Sequence, residues 1–75
     1  MSKRSVLTQE LEAFPEKTVL YLLLAGGEIT NIAFRCRDLD GKLGWALSGI
    51  AEPWSSDLLA TGILAVKGGY LVVSA

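Results

Sequence analysis

The chain has 75 residues, a formal net charge of −1, 51% hydrophobic residues and eight glycines besides, which exceeds the ~45–50% usual for the apolar class with glycine included. One cysteine, Cys36, and no histidine exclude an intrachain disulfide, a Cys/His zinc cluster and any Ser-His-Asp or Cys-His catalytic unit, and the near-neutral charge excludes a molecule-wide basic footprint. A domain this small buries only ~60% of the surface its unfolded chain exposes, so self-association is left as the means of sheltering the apolar surplus.

Residues 1–4 read as a tail and 5–75 as one domain. Met1-Ser-Lys-Arg is followed by Glu10 and Glu12 rather than an apolar stretch, so a secretory leader is not expected. The apolar runs fall short of the roughly 20 residues of a membrane span, and the expected location is the cytoplasm. Leu7, Leu11 and Phe14 share one helical face over residues 5–14. Ser5 or Thr8 is the expected cap, and Pro15 stops the helix.

From Thr18 the pattern reads as β. Gly26-Gly27 between apolar runs is a hairpin signal that pairs Leu23 with Thr30, Tyr21 with Ile32 and Val19 with Phe34. Asp40-Gly41 is a second such signal, pairing Cys36 with Trp45 and Phe34 with Leu47. The two hairpins share a strand, and together they put Val19, Tyr21, Leu23, Ile32, Phe34, Cys36, Trp45 and Leu47 on one apolar face. The opposite face carries Asn31, Arg35 and Arg37 with Leu20, Leu22 and Leu24, and the leucines need cover from the N-terminal helix. Gly49, Pro53, Ser55 and Ser56 mark a loop. Leu58–Val66 reads as a fourth strand, Gly68-Gly69 as a turn and Tyr70–Val73 as a fifth strand. The predicted fold is mainly β: a short helix and five antiparallel strands in a small, strongly bent open barrel.

The layout resembles the Sm-like family, including its Hfq branch. Leu24-Ala25-Gly26-Gly27-Glu28, with Asp38 eleven residues after Gly27, is similar to the first Sm motif. Val66-Lys67-Gly68-Gly69-Tyr70-Leu71-Val72-Val73 is similar to the second, and Gly62-Ile63-Leu64-Ala65 to the strand before it. Ile32 stands where the family has a second glycine, and Asp40 where it has a base-stacking residue. The resemblance implies a homo-oligomeric ring that binds single-stranded RNA at its pore, with Lys67, Gly68, Lys42, Asp38 and Tyr70 at the contacts. Strand four of one copy then pairs with strand five of the next, through Leu64, Val66, Leu71 and Val73. The acidic pair Asp38 and Asp40 instead favours a structural or protein-interaction ring without RNA.

Each residue also has a plainer reading. Lys67 and Lys42 are ordinary turn lysines, and Gly68 permits a positive φ. Asp38 accepts backbone N–H bonds and shapes its loop. Arg35 and Arg37 solvate the outer face. Trp45 is core, Cys36 a buried thiol, and Trp54 a subunit or partner contact if exposed. Glu10, Glu12 and Glu16 line a solvated helix face. No phosphate cradle is present, and too few polar groups converge for acid–base chemistry, so no enzyme activity, cofactor or metal is expected.

Overall fold

A computed structural model describes residues 2–74; Met1 of the expected tail and Ala75 of the expected domain lie outside the described residues. Helix α1 spans Lys3–Glu12 and is followed by strands β1 (Val19–Leu23), β2 (Ile29–Arg37) and β3 (Leu43–Leu47), helix α2 (Ser56–Ala65) and strand β4 (Gly69–Ser74). The strands form one antiparallel sheet in the order β3-β2-β1-β4. No helix among the described residues is long and apolar enough to cross a membrane.

The first helix begins earlier than its apolar spacing suggests. Ser2, not Ser5 or Thr8, is the N-cap, and its hydroxyl accepts the Ser5 amide at 3.1 Å. Lys3 and Arg4 therefore form the first turn rather than a tail. Past Pro15 the chain turns through Lys17, whose φ of 79° is left-handed, and enters β1.

The sheet has four strands rather than five, and it stays open rather than bending into a barrel, because the segment read as strand four is helical. Ser55 caps α2 by accepting the Leu58 amide at 3.1 Å. Leu59, Ala60 and Ile63 then fall on one buried helical face. At the other end the Lys67 amide donates to Leu64 (3.1 Å) and the Gly68 amide to Ile63 (3.0 Å). These are the paired bonds of a Schellman cap, which needs one left-handed residue. That residue is Lys67, with φ 53°. Gly68 is required for a different reason than a positive φ: a Cβ there would overlap the Leu23 carbonyl oxygen. The Gly68-Gly69 pair thus ends a helix instead of joining two strands.

Register follows loop length. In the first hairpin Val19 pairs with Phe34 and Tyr21 with Ile32, as expected, but Leu23 pairs with Ile29 instead of Thr30. The Leu24 amide bonds Glu28 and the Gly27 amide bonds Leu24, so the loop holds three residues, ending in left-handed Gly27 (φ 89°). A bulge between Leu22 and Leu23 absorbs the extra residue. In the second hairpin the Asp38 amide bonds the Lys42 carbonyl and the Gly41 amide bonds Asp38. This too is a three-residue loop ending in a left-handed glycine, a common alternative to the two-residue turn. Here no bulge compensates. Arg35 pairs with Trp45, Phe34 with Ala46 and Ala33 with Leu47, one residue away from the expected register. A slip of one moves side chains to the other face. Trp45 and Leu47 therefore join Leu20, Leu22, Ala33 and Arg35.

That face is the one both helices cover. The core there consists of Leu11, Leu20, Leu22, Ala33, Trp45, Leu47, Leu59, Ala60 and Ile63, with Leu7, Phe14, Trp54 and Tyr70 packed against it. Leu24, one of the leucines expected to need cover, stays exposed.

Candidate functional site

Arg35 is the chief surprise of the helix-covered face. Its side chain is 1% exposed, where the sequence suggested a solvated stripe. Nε donates to the Phe14 carbonyl (3.2 Å), Nη1 to Ser56 Oγ (3.3 Å), and Nη2 to the Glu12 carbonyl (3.3 Å) and Glu12 Oε2 (3.1 Å). The guanidinium lies 5.0 Å from the centroid of the Trp45 ring, within cation–π range. Trp45 Nε1 donates in turn to Ser56 Oγ at 3.0 Å. One cation thus ties the C-terminal end of α1, where free carbonyls favour positive charge, to the first turn of α2. No buried side-chain polar atom among the described residues lacks a partner. A satisfied network of this kind is structural, with no donor or acceptor left for a ligand.

The residues put forward for RNA do not converge. Lys42 and Asp38 lie in the β2–β3 loop, while Lys67 and Gly68 lie in the α2–β4 turn, at the opposite ends of the strands. Five residues at ~3.3 Å put these ends roughly 17 Å apart. Asp38 Oδ1 accepts the amides of Asp40 and Lys42, both at 2.9 Å, so it shapes the loop. Tyr70 lies on the helix side, its ring edge-on to Phe14 at 5.9 Å and its hydroxyl donating to Glu10 Oε1 at 2.8 Å. Burial, then the bond to Glu10 and that carboxylate's charge, push its pKa up to about 12. The ring is engaged in packing rather than offered to a base.

Other surface residues also carry structural duties. Arg37 Nε bonds Glu16 Oε1 at 3.2 Å and its Nη1 bonds the Gly41 carbonyl at 2.8 Å. With Glu10 on Tyr70 and Glu12 on Arg35, the acidic residues near α1 are used as anchors. Trp54 is half-buried. Its backbone exchanges both hydrogen bonds with Trp45, each at 2.8 Å, and its ring covers Gly62. A pocket of about 150 Å³ beside it, lined by Leu22, Leu24, Leu47, Ile50 and Ile63 among others, is smaller than the ~300 Å³ at which small-molecule sites begin.

The surface without a covering layer is the other side of the sheet. By strand alternation and the observed register, Val19 and Tyr21 of β1, Ile32, Phe34 and Cys36 of β2, Ala46 of β3, and Leu71 of β4 all face away from the helices. Ile32 is 45% exposed, Phe34 41% and Leu71 55%. Cys36, expected as a buried thiol, is only half-buried there. None of these residues is charged. Of the four residues put forward for an oligomer contact, Leu71 lies on this face and Val73 is exposed at the β4 bulge opposite Val19 and Leu20. Leu64 is half-buried on α2 and Val66 is exposed at its C-cap, so both belong to helix rather than to a strand edge. Head-to-tail pairing through a fourth Sm-type strand has no strand at 58–66 to use. Most of the open face was visible in the alternation of the first hairpin. The role of Arg35 was signalled only by its sharing a face with Leu20 and Leu22, where an unpaired charge could not stay.

Comparison of the chain with protein-family models, with curated proteins and with solved structures finds no match in any of the three.

Proposed function

We propose that this chain is a self-assembling protein-interaction module, and that its working surface is the open face of the sheet, occupied by the same face of a second copy. The single observation that carries this reading is an uncharged layer of aliphatic and aromatic side chains left uncovered on a sheet whose opposite face is packed under two helices. Four strands ~4.8 Å apart and five residues at ~3.3 Å give a patch of roughly 300 Å² in projection. The largest apolar patch on a typical monomer is ~300–600 Å² and is often functional.

A second copy suits the patch for a physical reason. Sheets pack face to face about 10 Å apart through interdigitated side chains, and two copies of an uncharged layer meet without desolvating any charge. Roughly 600 Å² across both copies lies below the ~1,200 Å² at which stable specific interfaces begin. Association also costs ~4–15 kcal/mol, so the face alone supports a weak pair. The separation of Lys42 from Lys67 also favours a protein partner over a nucleic-acid strand gripped at one pore.

The test is the mass in solution of the wild-type chain and of Phe34→Lys. The reading expects a multiple of 8.0 kDa that the lysine reduces while the circular dichroism stays unchanged. A wild-type monomer at all concentrations rejects it.

A further inference from the structure

The two edges of the sheet differ. On β3 the outward-facing backbone is blocked at its centre: Trp45 exchanges both its bonds with Trp54, and the Leu47 carbonyl accepts the Ile50 amide at 3.1 Å. On β4 nothing among the described residues lies beyond the strand. Native proteins blunt an edge with charge, proline, a bulge or a cover. Residues 68–75, Gly-Gly-Tyr-Leu-Val-Val-Ser-Ala, contain neither charge nor proline. The bulge that β4 does have, opposite Val19 and Leu20, lies at its far end. Leu71 (55%) on the open face and Val72 (45%) on the helix side are both exposed, so beyond Tyr70, which packs against Phe14, β4 is bare on both sides as well as along its rim.

The direction of its free backbone groups follows from the ladder. Arg35 donates to the Thr18 carbonyl and Leu24 donates to Glu28, so even-numbered residues of β1 face β2 and odd-numbered ones face β4. Tyr21 is opposite Leu71 and Leu23 opposite Gly69. Leu71 and Gly69 therefore bond inward, and Tyr70 and Val72 direct their N–H and C=O groups outward.

We infer that β4 pairs antiparallel with β4 of a second copy about a two-fold axis, so that one sheet of eight strands runs through both protomers. The occupant is a second copy because an uncharged rim with alternating free donors and acceptors is complementary to itself when turned around. The pairing is two-fold rather than head-to-tail because the other edge is capped by Trp54. Only β4 with β4 then joins two bare edges, and an isologous contact closes at two copies. The inference deepens the self-association proposed above and rests on it only for the higher assembly: an edge-paired dimer stacked through its open face makes a tetramer.

The experiment is amide hydrogen exchange by NMR, alongside mass by light scattering, on the full chain, Phe34→Lys, Val72→Pro and Val72→Lys. Wild-type chain is expected at about four times 8.0 kDa, with the Tyr70 and Val72 amides protected from exchange. Phe34→Lys is expected to halve the mass and keep both amides protected, since it breaks the face but not the edge. Val72→Pro removes an outward N–H, which an edge strand tolerates, and is expected to halve the mass and release the Tyr70 amide. Val72→Lys serves the same end if the proline unfolds the chain. Edge pairing is overturned if the Tyr70 and Val72 amides of the wild type exchange as fast as those of an unstructured peptide, or if both Val72 variants keep the wild-type mass. If Phe34→Lys leaves the mass unchanged while both amides stay protected, the face reading fails and the edge stands.

Discussion

The two faces of this sheet are built from the same strands and nearly the same residue types, yet they end in opposite states. Toward the helices, Leu20, Leu22, Ala33 and Trp45 are at most 6% exposed and even an arginine is enclosed. Away from them, Ile32, Phe34 and Leu71 are left about half in water. Covering one side takes two helices of ten residues each, and no further element among the described residues covers the other. What distinguishes a core from an interface here is the supply of cover, while hydrophobicity is alike on both sides.

If that contrast is right, substitutions on the covered face act on folding and those on the open face act on association. Arg35→Ala is expected to have the largest effect, a loss of about 3–5 kcal/mol in chemical denaturation, because it strands the carbonyls of Glu12 and Phe14, leaves a cavity beside Trp45 and releases α1 from α2. Glu12→Gln, whose carboxylate is half in solvent, is expected to cost only about 1 kcal/mol. Equal losses would mean that the ion pair, rather than the clamp, holds the helices.

Leu59→Ala on the covered face is expected to cost about 2–5 kcal/mol. Ile32→Thr on the open face is expected to change the stability of a dilute, monomeric sample by roughly 0.5 kcal/mol or less. A large loss from Ile32→Thr under monomeric conditions would break the comparison. The junction of the two layers gives a smaller test. Gly68→Ala drives a methyl into the Leu23 carbonyl and is expected to cost about 1–3 kcal/mol, whereas Gly69→Ala, with open space around it, is expected to stay within about 0.5 kcal/mol. Lys67→Gly is expected to stabilise by about 1 kcal/mol, since it relieves a left-handed lysine, and thermal melts report the sign.

The smallest effect concerns pH. Tyr70 keeps its proton in the folded chain up to about 12, against an ordinary value of 10.0. Between these values the unfolded state loses a proton that the folded state retains, so stability present below pH 10 declines as pH rises toward 12. Tyr70→Phe is expected to flatten that part of a denaturation-against-pH curve.

Much of the sheet was legible in the sequence, and the misses share a cause. The alternation of Val19, Tyr21, Ile32 and Phe34 was readable because neighbouring residues contribute opposite faces, and the register of the first hairpin survived a longer loop thanks to a bulge. Asp40-Gly41 and Gly68-Gly69 were misread because glycine marks a left-handed or closely approached backbone without saying what flanks it. In one case that hid a three-residue loop, and in the other a helix cap. The α2 segment is apolar nearly all round, so its period was weak, though the Ser55 cap and a run of ten residues were signals for helix. Arg35 was hidden for a further reason: its partners, Glu12, Phe14 and Ser56, are brought to it only by tertiary packing.

The most direct measurement is sedimentation equilibrium of the wild-type chain beside Phe34→Lys. The account predicts a wild-type particle of several times 8.0 kDa and a smaller, fully folded particle for the variant. A wild-type monomer, or a variant with unaltered mass, contradicts it.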